Sequence, residues 1–247
     1  MVKEVISSKD NKQVKNYRKL NTRQGRKKSG LYLVEGVHLV EEALKSQIDI
    51  EIIIVTDGFK HGLDLSNQRT MFVTDEVMKS LSTLDTPPGI VAVLKESKAT
   101  GLSYKRVLLL EDVQDPGNLG TLIRTADAFG FKTIILTPKA ADPFNPKVLR
   151  AAQGSHFHLN IITREVSEAA MAFKGIKIGT ALDNAVYIDS FQQPDDDIML
   201  VLGNEGNGLS SEALELMDIN AKIDMTGDSE SLNVAIAGAI LMHHFKS

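Results

Sequence analysis

Apolar residues recur along the first third of this chain with the spacings of alternating helices and strands. Val14, Tyr17 and Leu20 repeat at threes and predict one face of a helix, while the basic segment 23–30 is predicted to be a loop. The run 50–55, apolar and β-branched apart from Glu51, is typical of a buried strand. The remaining predicted elements are strands at 31–34 and 90–94 and helices at 37–44 and 75–81. This order indicates a small α/β unit.

A polar stretch without periodicity, 95–105, interrupts the pattern and is predicted to be a linker between domains 1–94 and 106–247. Beyond it, strands are predicted at 107–110, 133–137, 176–181, 198–202 and 221–225, and helices at 119–129, 146–152, 166–173, 211–217 and 232–245. Helices that alternate with apolar strands predict a mostly parallel, doubly wound sheet. Such sheets bind ligands beyond the carboxyl ends of their strands.

The composition excludes several classes of protein and of site. The 247 residues are 43% hydrophobic and 24% charged, which argues against a disordered chain. Cysteine is absent, so a disulfide framework, a thiolate metal site and a cysteine nucleophile are excluded. We interpret His156, His158, His243 and His244 as structural or surface residues and predict no metal site.

The sequence predicts neither a membrane span nor a signal peptide. Its longest apolar run, 234–242, is well short of the ~18 residues that a span needs. Residues 1–12 are polar and charged, unlike the start of a secretory signal. We therefore expect a cytoplasmic protein.

Charge is distributed unevenly along the chain. The net charge is −4, but residues 1–30 contain ten lysines and arginines against two acids, a balance of +8 that leaves −12 on the rest. A basic arm on an acidic body favours a polyanionic partner, RNA or DNA. The alternative is a solubilising helix face together with a disordered tail.

Three loops at predicted strand ends carry the candidate chemistry. In the first, Pro116 and Gly117 predict a turn after the strand at 107–110, and Asn118 is expected to cap the helix that follows. Arg124 lies about two turns into that helix. A strand, a glycine-containing turn and a helix that bears an arginine are typical of anion binding, although a lone arginine on a helix is usually only solvated.

The second loop, 203–209, follows the strongly apolar strand at 198–202 and has three glycines in six residues, which let a backbone approach a ligand closely. Its glycine spacing is neither the dinucleotide fingerprint nor a phosphate loop. The third loop, 223–231, runs into the last helix, where Ser231 and Asn233 would present polar side chains beside free amides. The alternative interpretations are a tight turn for the second loop and a simple N-cap role for Ser231.

Taken together, the three loops resemble in order and spacing the signature motifs of the SpoU/TrmH family of RNA ribose 2′-O-methyltransferases, which belong to the SPOUT superfamily. The matching residues are Asn118-Leu119-Gly120 with Arg124, Leu202-Gly203-Asn204-Glu205-Gly206 with Gly208-Leu209, and Ile223-Asp224-Met225 with Ser231-Leu232-Asn233-Val234. The segments 15–20, 33–36 and 88–93 resemble the family's small substrate-binding domain. Two residues depart from the usual pattern, since Ala235 stands where many members have serine and Pro88 where glutamine is common.

The resemblance implies a fold, a cofactor and an assembly. The carboxyl-terminal domain would contain a deep trefoil knot that holds S-adenosylmethionine (AdoMet), and it would form a homodimer with its sites near the interface. The amino-terminal domain would resemble a ribosomal-protein fold and bind the RNA. General topology rules argue against a knot, so that expectation depends on the resemblance alone.

The resemblance also assigns residues to the site. The implied catalytic residues are Asn118, Arg124, Glu205, Ser231 and Asn233, and the implied cofactor-binding residues are Ala181, Leu202, Gly203, Gly206, Ile223, Met225 and Leu232. The cations of the basic arm expected to contact RNA phosphates are Lys12, Lys15, Arg18, Lys19, Arg23, Arg26 and Lys27. Arg124 is expected to grip the phosphate beside the target and to stabilise the developing alkoxide. The proton would leave to another group or to water, because arginine rarely deprotonates.

The predicted function is therefore methyl transfer from AdoMet to a ribose 2′-hydroxyl of structured RNA, ribosomal RNA in preference to transfer RNA. One alternative is a non-catalytic RNA-binding or ribosome-assembly protein that retains the fold. The polar residues of the three loops argue against it, because a pure binder has no need of all of them. A second alternative is a nucleotide-dependent oxidoreductase, which the missing dinucleotide fingerprint and the basic arm disfavour.

Overall fold

The fold is that of a computed structural model, which describes residues 4–46, 48–96, 105–182, 184–190 and 196–246. The chain forms two compact units, one of residues 1–98 with 144–157 and the other of residues 99–143 with 158–247. Most of the predicted linker, residues 97–104, lies outside the described residues, and the predicted domain boundaries stay a prediction. Within the described ranges, no helix combines the length and the apolar character that crossing a membrane requires.

Strands and helices alternate along both units. The strands are β1 (Val5–Ile6), β2 (Leu31–Glu35), β3 (Ile50–Thr56), β4 (Thr70–Val73), β5 (Ile90–Lys95), β6 (Arg106–Leu110), β7 (Thr133–Leu136), β8 (Asn160–Thr163), β9 (Ile176–Thr180), β10 (Val186–Tyr187), β11 (Ile198–Leu202) and β12 (Ile219–Lys222). The helices are α1 (Lys12–Arg18), α2 (Arg23–Ser29), α3 (Val37–Lys45), α4 (Asp75–Leu81), α5 (Pro116–Ala128), α6 (Pro146–Ala152), α7 (Val166–Ala172), α8 (Ser211–Glu215) and α9 (Val234–His244). Short 3₁₀ turns occupy Lys19–Asn21, Ser155–His158 and Ile188–Ser190.

The first unit is a five-stranded sheet in the order β1-β4-β3-β5-β2, covered by helices on both faces. Ile54 of the central strand β3 packs into a layer with Val14 of α1 and Val77 of α4. The next residue, Val55, packs into the opposite layer with Leu39 of α3. Successive side chains of a strand point to opposite faces, so strand β3, which is apolar from Ile52 to Val55, supplies both halves of the core.

Helix α6 comes from the middle of the chain but packs within the first unit. Next to it, the ring of Phe144 lies 4.6 Å from that of Tyr32, centroid to centroid. Arg150 of α6 reaches within 3.7 Å of the buried carboxylate of Glu35 at the end of β2. The boundaries predicted from sequence place this helix in the carboxyl-terminal domain, whereas its contacts are with the amino-terminal sheet.

The basic segment predicted to be a loop is helix α2. The Thr22 hydroxyl caps its start by accepting a hydrogen bond of 3.1 Å from the Gly25 amide, and Gly30 ends it in the left-handed region with φ of 66°. A cap and a left-handed glycine define a helix even where no apolar period is present. Strands β1, β4, β8 and β10 are also absent from the predicted elements, because each has four residues or fewer and shows no clear period.

The second unit is a seven-stranded sheet in the order β10-β12-β9-β11-β6-β7-β8, and every strand pair that the structure describes in it is parallel. Leu202, the last residue of β11, is in register with Leu110, the last of β6. The loops that follow these two strands therefore leave the sheet side by side. The predicted α/β class with a mostly parallel carboxyl-terminal sheet is confirmed, and the trefoil knot stays a prediction.

Two helices begin at residues other than those predicted. Helix α5 begins at Pro116 with Asp115 as its N-cap, because Asp115 Oδ1 accepts from the Asn118 amide at 2.9 Å. The expectation that Asn118 caps this helix is therefore wrong, and its side chain is available for other contacts. Helix α9 is capped by Asn233 and not by Ser231.

Helix α9 packs tightly against α5 and β11 at Gly238. A Cβ atom at this glycine would lie 2.4 Å from Leu122 of α5 and 2.8 Å from Leu202 of β11. At the other end of α9, the buried Arg106 donates from Nε to the carbonyl of Phe245 at 2.8 Å. These contacts hold the last helix against the sheet, and with it the Asn233 cap beside the loop after β6.

Candidate active site

A cavity of about 700 Å³ opens beyond the carboxyl ends of β9, β11 and β12. Its wall is built from the ends of these strands, the loops that follow them and one side of α9. All the residues expected to bind the cofactor line it, namely Ala181, Leu202, Gly203, Gly206, Ile223, Met225 and Leu232. The structure thus gathers them around one space, and their role in binding remains a prediction.

The loop after β11 has its shape because residue 203 is glycine. A Cβ atom at Gly203 would lie 2.1 to 2.3 Å from backbone atoms of Gly208 and Leu209, closer than any side chain allows. Two backbone hydrogen bonds between Asn204 and Gly208, of 3.0 and 2.9 Å, close the loop on itself. The turn is completed by the left-handed φ of 67° at Gly208. This narrow loop leaves backbone groups on the cavity wall.

The cavity wall fits AdoMet. Ile223, Met225 and Leu232 supply apolar surface suited to an adenine ring, and Leu232 is 36% exposed. The backbone groups of the 203–206 loop can serve the polar edge of the ring. Glu205 adds a carboxylate to the same wall, and a carboxylate favours a positively charged sulfonium. When bound, AdoMet supplies an electrophilic methyl group.

Three of the predicted catalytic residues are joined by hydrogen bonds. Asn118 donates from Nδ2 to Glu205 Oε1 at 3.1 Å, and Asn233 donates from Nδ2 to Asn118 Oδ1 at 3.0 Å. Each of the three belongs to a different motif loop. The three loops therefore meet at the Asn118 amide, whose nitrogen and oxygen are both engaged.

Glu205 also accepts hydrogen bonds from the loop after β6. The amides of Asp115 and Gln114 donate to its carboxylate at 3.0 and 3.2 Å. Partial burial acts to raise the pKa of the Glu205 carboxyl, but these amides and the Asn118 side chain outweigh it, and the pKa lies below its ordinary value. The carboxyl is therefore ionised at neutral pH and remains an acceptor for Asn118.

The remaining two predicted catalytic residues are placed differently. Ser231 lies on the cavity wall, and its carbonyl accepts from the Ser229 hydroxyl at 2.9 Å. Arg124 is exposed on α5, outside the cavity lining, and no described residue forms a hydrogen bond or an ion pair with its guanidinium. Of the five predicted catalytic residues, Glu205 and Ser231 thus line the cavity. Asn118 and Asn233 lie outside its lining but are linked to Glu205 by hydrogen bonds. Arg124 is linked to none of them.

Sequence reasoning missed part of the cavity wall. Tyr187 of β10 and Lys222 of β12 both line it, and Lys222 Nζ lies 4.5 Å from the centroid of the Tyr187 ring. Leu182, at the rim, is 61% exposed. Tyr187 lies in a two-residue strand outside the motif loops, so no pattern marked it. Lys222 directly precedes Ile223 of the third motif, which is the one signal that pointed to it.

The basic arm folds into α1, a 3₁₀ turn and α2. The predicted RNA-binding cations that are exposed are Lys12, Lys15, Arg18, Lys19, Arg23 and Lys27. Arg26 is only 5% exposed and donates from its guanidinium to the Leu20 carbonyl at 2.7 Å. Its burial contradicts the prediction that it contacts RNA phosphates. Lys15 is exposed but pairs with Asp10 at 2.8 Å.

One group of possible metal ligands occurs among the described residues, on the surface of α3. Ligand atoms of His38, Glu41 and Glu42 all lie within 4.8 Å of one another. The Lys45 ammonium already lies 3.1 Å from each of the two carboxylates. The group belongs to the first unit and takes no part in the cavity of the second.

The chain matches known proteins along nearly all of its length. Residues 105–243 match the model of the SpoU rRNA Methylase family, and residues 11–92 match that of the MRM3-like substrate binding domain. The chain is 40% identical over 245 residues to the 23S rRNA (guanosine(2553)-2′-O)-methyltransferase RlmP of Bacillus subtilis strain 168, with 98% of each chain covered.

Solved structures agree with these matches. The AdoMet-bound rRNA methyltransferase from Sinorhizobium meliloti is 27% identical with a TM-score of 0.85, over 98% of this chain and 96% of that one. The SpoU methyltransferase AviRb from Streptomyces viridochromogenes, in complex with AdoMet, is 25% identical with a TM-score of 0.82, over 95% and 96% of the two chains. The protein therefore belongs to the SpoU rRNA methylase family, as its three loop motifs predicted.

Proposed function

We propose that this protein transfers the methyl group of AdoMet to the 2′-hydroxyl of a guanosine in 23S ribosomal RNA. The enzyme class and the cofactor predicted from sequence are confirmed by the family and by its AdoMet-bound neighbours. The observation that carries the proposal is the meeting of the three motif loops at Asn118, which is bonded to Asn233 and to Glu205 on the cavity wall. Guanosine and 23S rRNA are proposed from the 40% identity to RlmP.

Asn118 is the fixed centre of the proposed catalytic pocket. Its nitrogen is held by Glu205 and its oxygen by Asn233, so the orientation of the amide is set before substrate arrives. Positioning of reacting groups supplies ~7–11 kcal/mol of barrier reduction in favourable cases. Glu205 both holds Asn118 and places a negative charge on the cavity wall.

Arg124 is the proposed contact with the reacting part of the RNA. A guanidinium can bind a phosphate through two parallel hydrogen bonds and stabilise the alkoxide that develops on a ribose oxygen. The proton passes to another group or to water, because an arginine side chain keeps its proton in proteins. Exposure of Arg124 on α5, with no partner in the described part of the chain, leaves it available for this contact.

The exposed cations of α1 and α2 form the proposed phosphate-binding surface. Proteins bind structured RNA largely by its shape and its phosphates, which suits lysines and arginines spread over a helical surface. The match of residues 11–92 to a substrate-binding domain supports this assignment. A ribosomal RNA substrate also implies a cytoplasmic location.

The active assembly is proposed to be a homodimer formed through the carboxyl-terminal domain. Helix α9 is apolar on all sides, and a helix of this kind is normally buried on all sides. One side packs on α5, but Ile236 and Ile240 are 52% and 37% exposed on the side away from it. A second copy of the chain would cover these residues. Sedimentation should report a dimer, and Ile240→Glu should dissociate it, whereas Met171→Glu on α7 should not.

Two measurements on the wild-type protein test the proposed activity. Isothermal titration should show AdoMet binding, and tritium from labelled AdoMet should pass into undermodified 23S rRNA. A non-catalytic member of the family would bind the RNA without transferring label. Label that enters transfer RNA alone would refute the proposed substrate and retain the enzyme class.

A further inference from the structure

Asp112 follows β6 in a backbone conformation that side chains rarely adopt. Its φ is 55°, and it is one of three non-glycine residues with positive φ in the described part of the chain, with Gln153 and Asn184. Aspartate tolerates the left-handed region better than most residues, but neighbouring contacts are needed to hold it there. Asp112 lies outside the AdoMet cavity and outside the three motif matches.

Thr137 provides those contacts through two reciprocal hydrogen bonds. The Asp112 amide donates to Thr137 Oγ1 at 2.8 Å, and the Thr137 hydroxyl donates to Asp112 Oδ1 at 2.6 Å. Thr137, directly after β7, is 4% exposed, and its own amide donates to the Leu110 carbonyl at 3.2 Å. We call this pair the Asp112–Thr137 clasp. It fixes the turn after β6 to the end of the neighbouring strand.

The turn points the Asp112 carbonyl at the second motif loop. Asn204 Nδ2 donates to that carbonyl at 2.9 Å. The other end of the same side chain, Asn204 Oδ1, accepts from the Gly206 amide at 2.9 Å and from the Asn207 amide at 3.3 Å. The Asn204 side chain therefore sets the turn in which Glu205 lies, and the clasp sets the atom to which Asn204 is bonded.

We propose that Asp112 and Thr137 are positioning residues for methyl transfer, which act by orienting Asn204 and through it Glu205 and Asn118. The inference rests on the proposed function, because it assigns the clasp a role in that reaction. Neither residue contacts the cavity, so both act through the loop after β11. Two charged neighbours are already paired: Lys139 Nζ lies 3.8 Å from the Asp112 carboxylate, and the Glu111 carboxylate accepts from Ser210.

Three variants test the clasp by kinetics. Thr137→Val removes both hydrogen bonds at nearly constant shape, and Thr137→Ser retains them. We expect kcat to fall about 10- to 100-fold in Thr137→Val, with KM for AdoMet within about twofold, and to recover in Thr137→Ser, because small misplacements of catalytic groups have effects of this size. Asp112→Gly keeps the left-handed turn but loses the carboxylate, so its kcat should lie between wild type and Thr137→Val.

A folded Thr137→Val protein with wild-type kcat would overturn the proposal, as would an equal loss of kcat in Thr137→Ser. If Thr137→Val does not fold, Asp112→Gly and Asp112→Ala replace it. Glycine adopts the left-handed turn freely and alanine does not, so Asp112→Ala should be the slower of the two. Wild-type kcat in both Asp112→Gly and Asp112→Ala would contradict the proposal that the left-handed turn at Asp112 orients Asn204.

Amide hydrogen exchange separates this inference from the proposed function. In Thr137→Val and in Asp112→Ala, the Gly206 and Asn207 amides should exchange about tenfold faster or more, because the Asn204 side chain that protects them is no longer held. Unchanged exchange would refute the clasp whatever the activity. If wild-type protein transfers no methyl group, the proposed function fails, and the exchange data still decide whether the clasp sets the loop.

Discussion

Asn233 donates a hydrogen bond of 3.0 Å to Asn118, a residue 115 positions earlier in the chain. The same Asn233 side chain caps helix α9 with its oxygen, which accepts from the Ala235 amide at 2.9 Å. One side chain thus fixes the start of the last helix and the orientation of the Asn118 amide. The two roles use different atoms, so they can be separated by substitution.

Replacing Asn233 with aspartate should separate the cap from the catalytic contact. Aspartate retains an oxygen to cap α9 but has no N–H to donate to Asn118, so the free energy of unfolding should change by less than ~1 kcal/mol. Methyl transfer should slow about tenfold or more, because the Asn118 amide loses one of its two anchors. Single-turnover kinetics and urea denaturation measure the two effects. Full activity in Asn233→Asp would contradict this role, and Asn233→Ala should lose both cap and activity.

Replacing Gly203 with alanine should weaken AdoMet binding. The added Cβ would lie 2.1 to 2.3 Å from backbone atoms of Gly208 and Leu209, and backbone cannot move aside without opening the loop. We expect Kd for AdoMet to rise at least about tenfold, a difference of ~1.4 kcal/mol. Titration calorimetry measures it. Gly227→Ala is the matched control, because a Cβ there meets nothing within 4 Å. Wild-type affinity for AdoMet in Gly203→Ala would refute the assignment of the 203–209 loop to the cofactor site.

Arg124 should be needed for the reaction and not for cofactor binding. Arg124→Ala should lower kcat about 100-fold or more, since loss of one donor to a developing oxyanion has an effect of this size. Arg124→Lys keeps the charge without the planar fork and should recover only a small part. Titration should show unchanged Kd for AdoMet in both variants, because Arg124 is not part of the cavity lining. Near wild-type kcat in Arg124→Lys would exclude the two-bond contact with phosphate.

Glu205 should make stability depend on pH in the acid range. The pKa of its carboxyl is lowered in the fold by hydrogen bonds to the ionised form, so its contribution is present above the unfolded pKa of about 4.3 and is lost as pH falls through the folded pKa. The difference in unfolding free energy between wild type and Glu205→Gln should be constant near neutral pH and shrink below about pH 4.3. Denaturation at a series of pH values measures it. A difference that grows in acid would contradict the lowered pKa.

RNA affinity should depend on the exposed cations of α2 and not on the buried one between them. Arg23→Ala and Lys27→Ala should each reduce the slope of log K against log salt by about one, because each removes one phosphate contact. Arg26→Ala should leave that slope unchanged and destabilise the first unit by ~1–3 kcal/mol, since the Leu20 carbonyl loses its donor. Filter binding over a range of salt, with thermal denaturation, distinguishes the three. An equal fall in slope for Arg26→Ala would place its side chain on the RNA.

Strands and helices with a clear apolar run or cap could be predicted from the sequence, and so could the three loops that carry the family motifs. Strand β11 and helices α4 and α6 have the predicted bounds, because continuous apolar runs or caps delimit them. The sequence pattern predicts a loop where helix α2 lies, because its seven polar and basic residues show no apolar face. Thr22, which caps the helix, and Gly30, which ends it, were the available signals of a helix. The many basic residues between them led to the prediction of a loop.

The site was predictable residue by residue only where a motif covered it. The second and third motifs located residues of the cavity wall, but no motif located Tyr187, which lies on the strand at the edge of the sheet and also lines the cavity. The burial of Arg26 could not be predicted from a run of basic residues. Which of these side chains faces the core depends on the residue at which α2 begins. The bond between Asn204 and Asp112 depends on a left-handed aspartate, which no pattern in a single sequence reveals.

The most direct test of the central claim is nucleoside mass spectrometry of undermodified 23S rRNA after incubation with the protein and AdoMet. We predict one new 2′-O-methylguanosine, which the wild-type protein and Gly227→Ala form at similar rates. The Gly203→Ala and Arg124→Ala proteins should form much less of it. A methyl group on a base in place of a ribose, or undiminished methylation by the Gly203→Ala protein, would contradict the claim that the three loops form one ribose-methylating site.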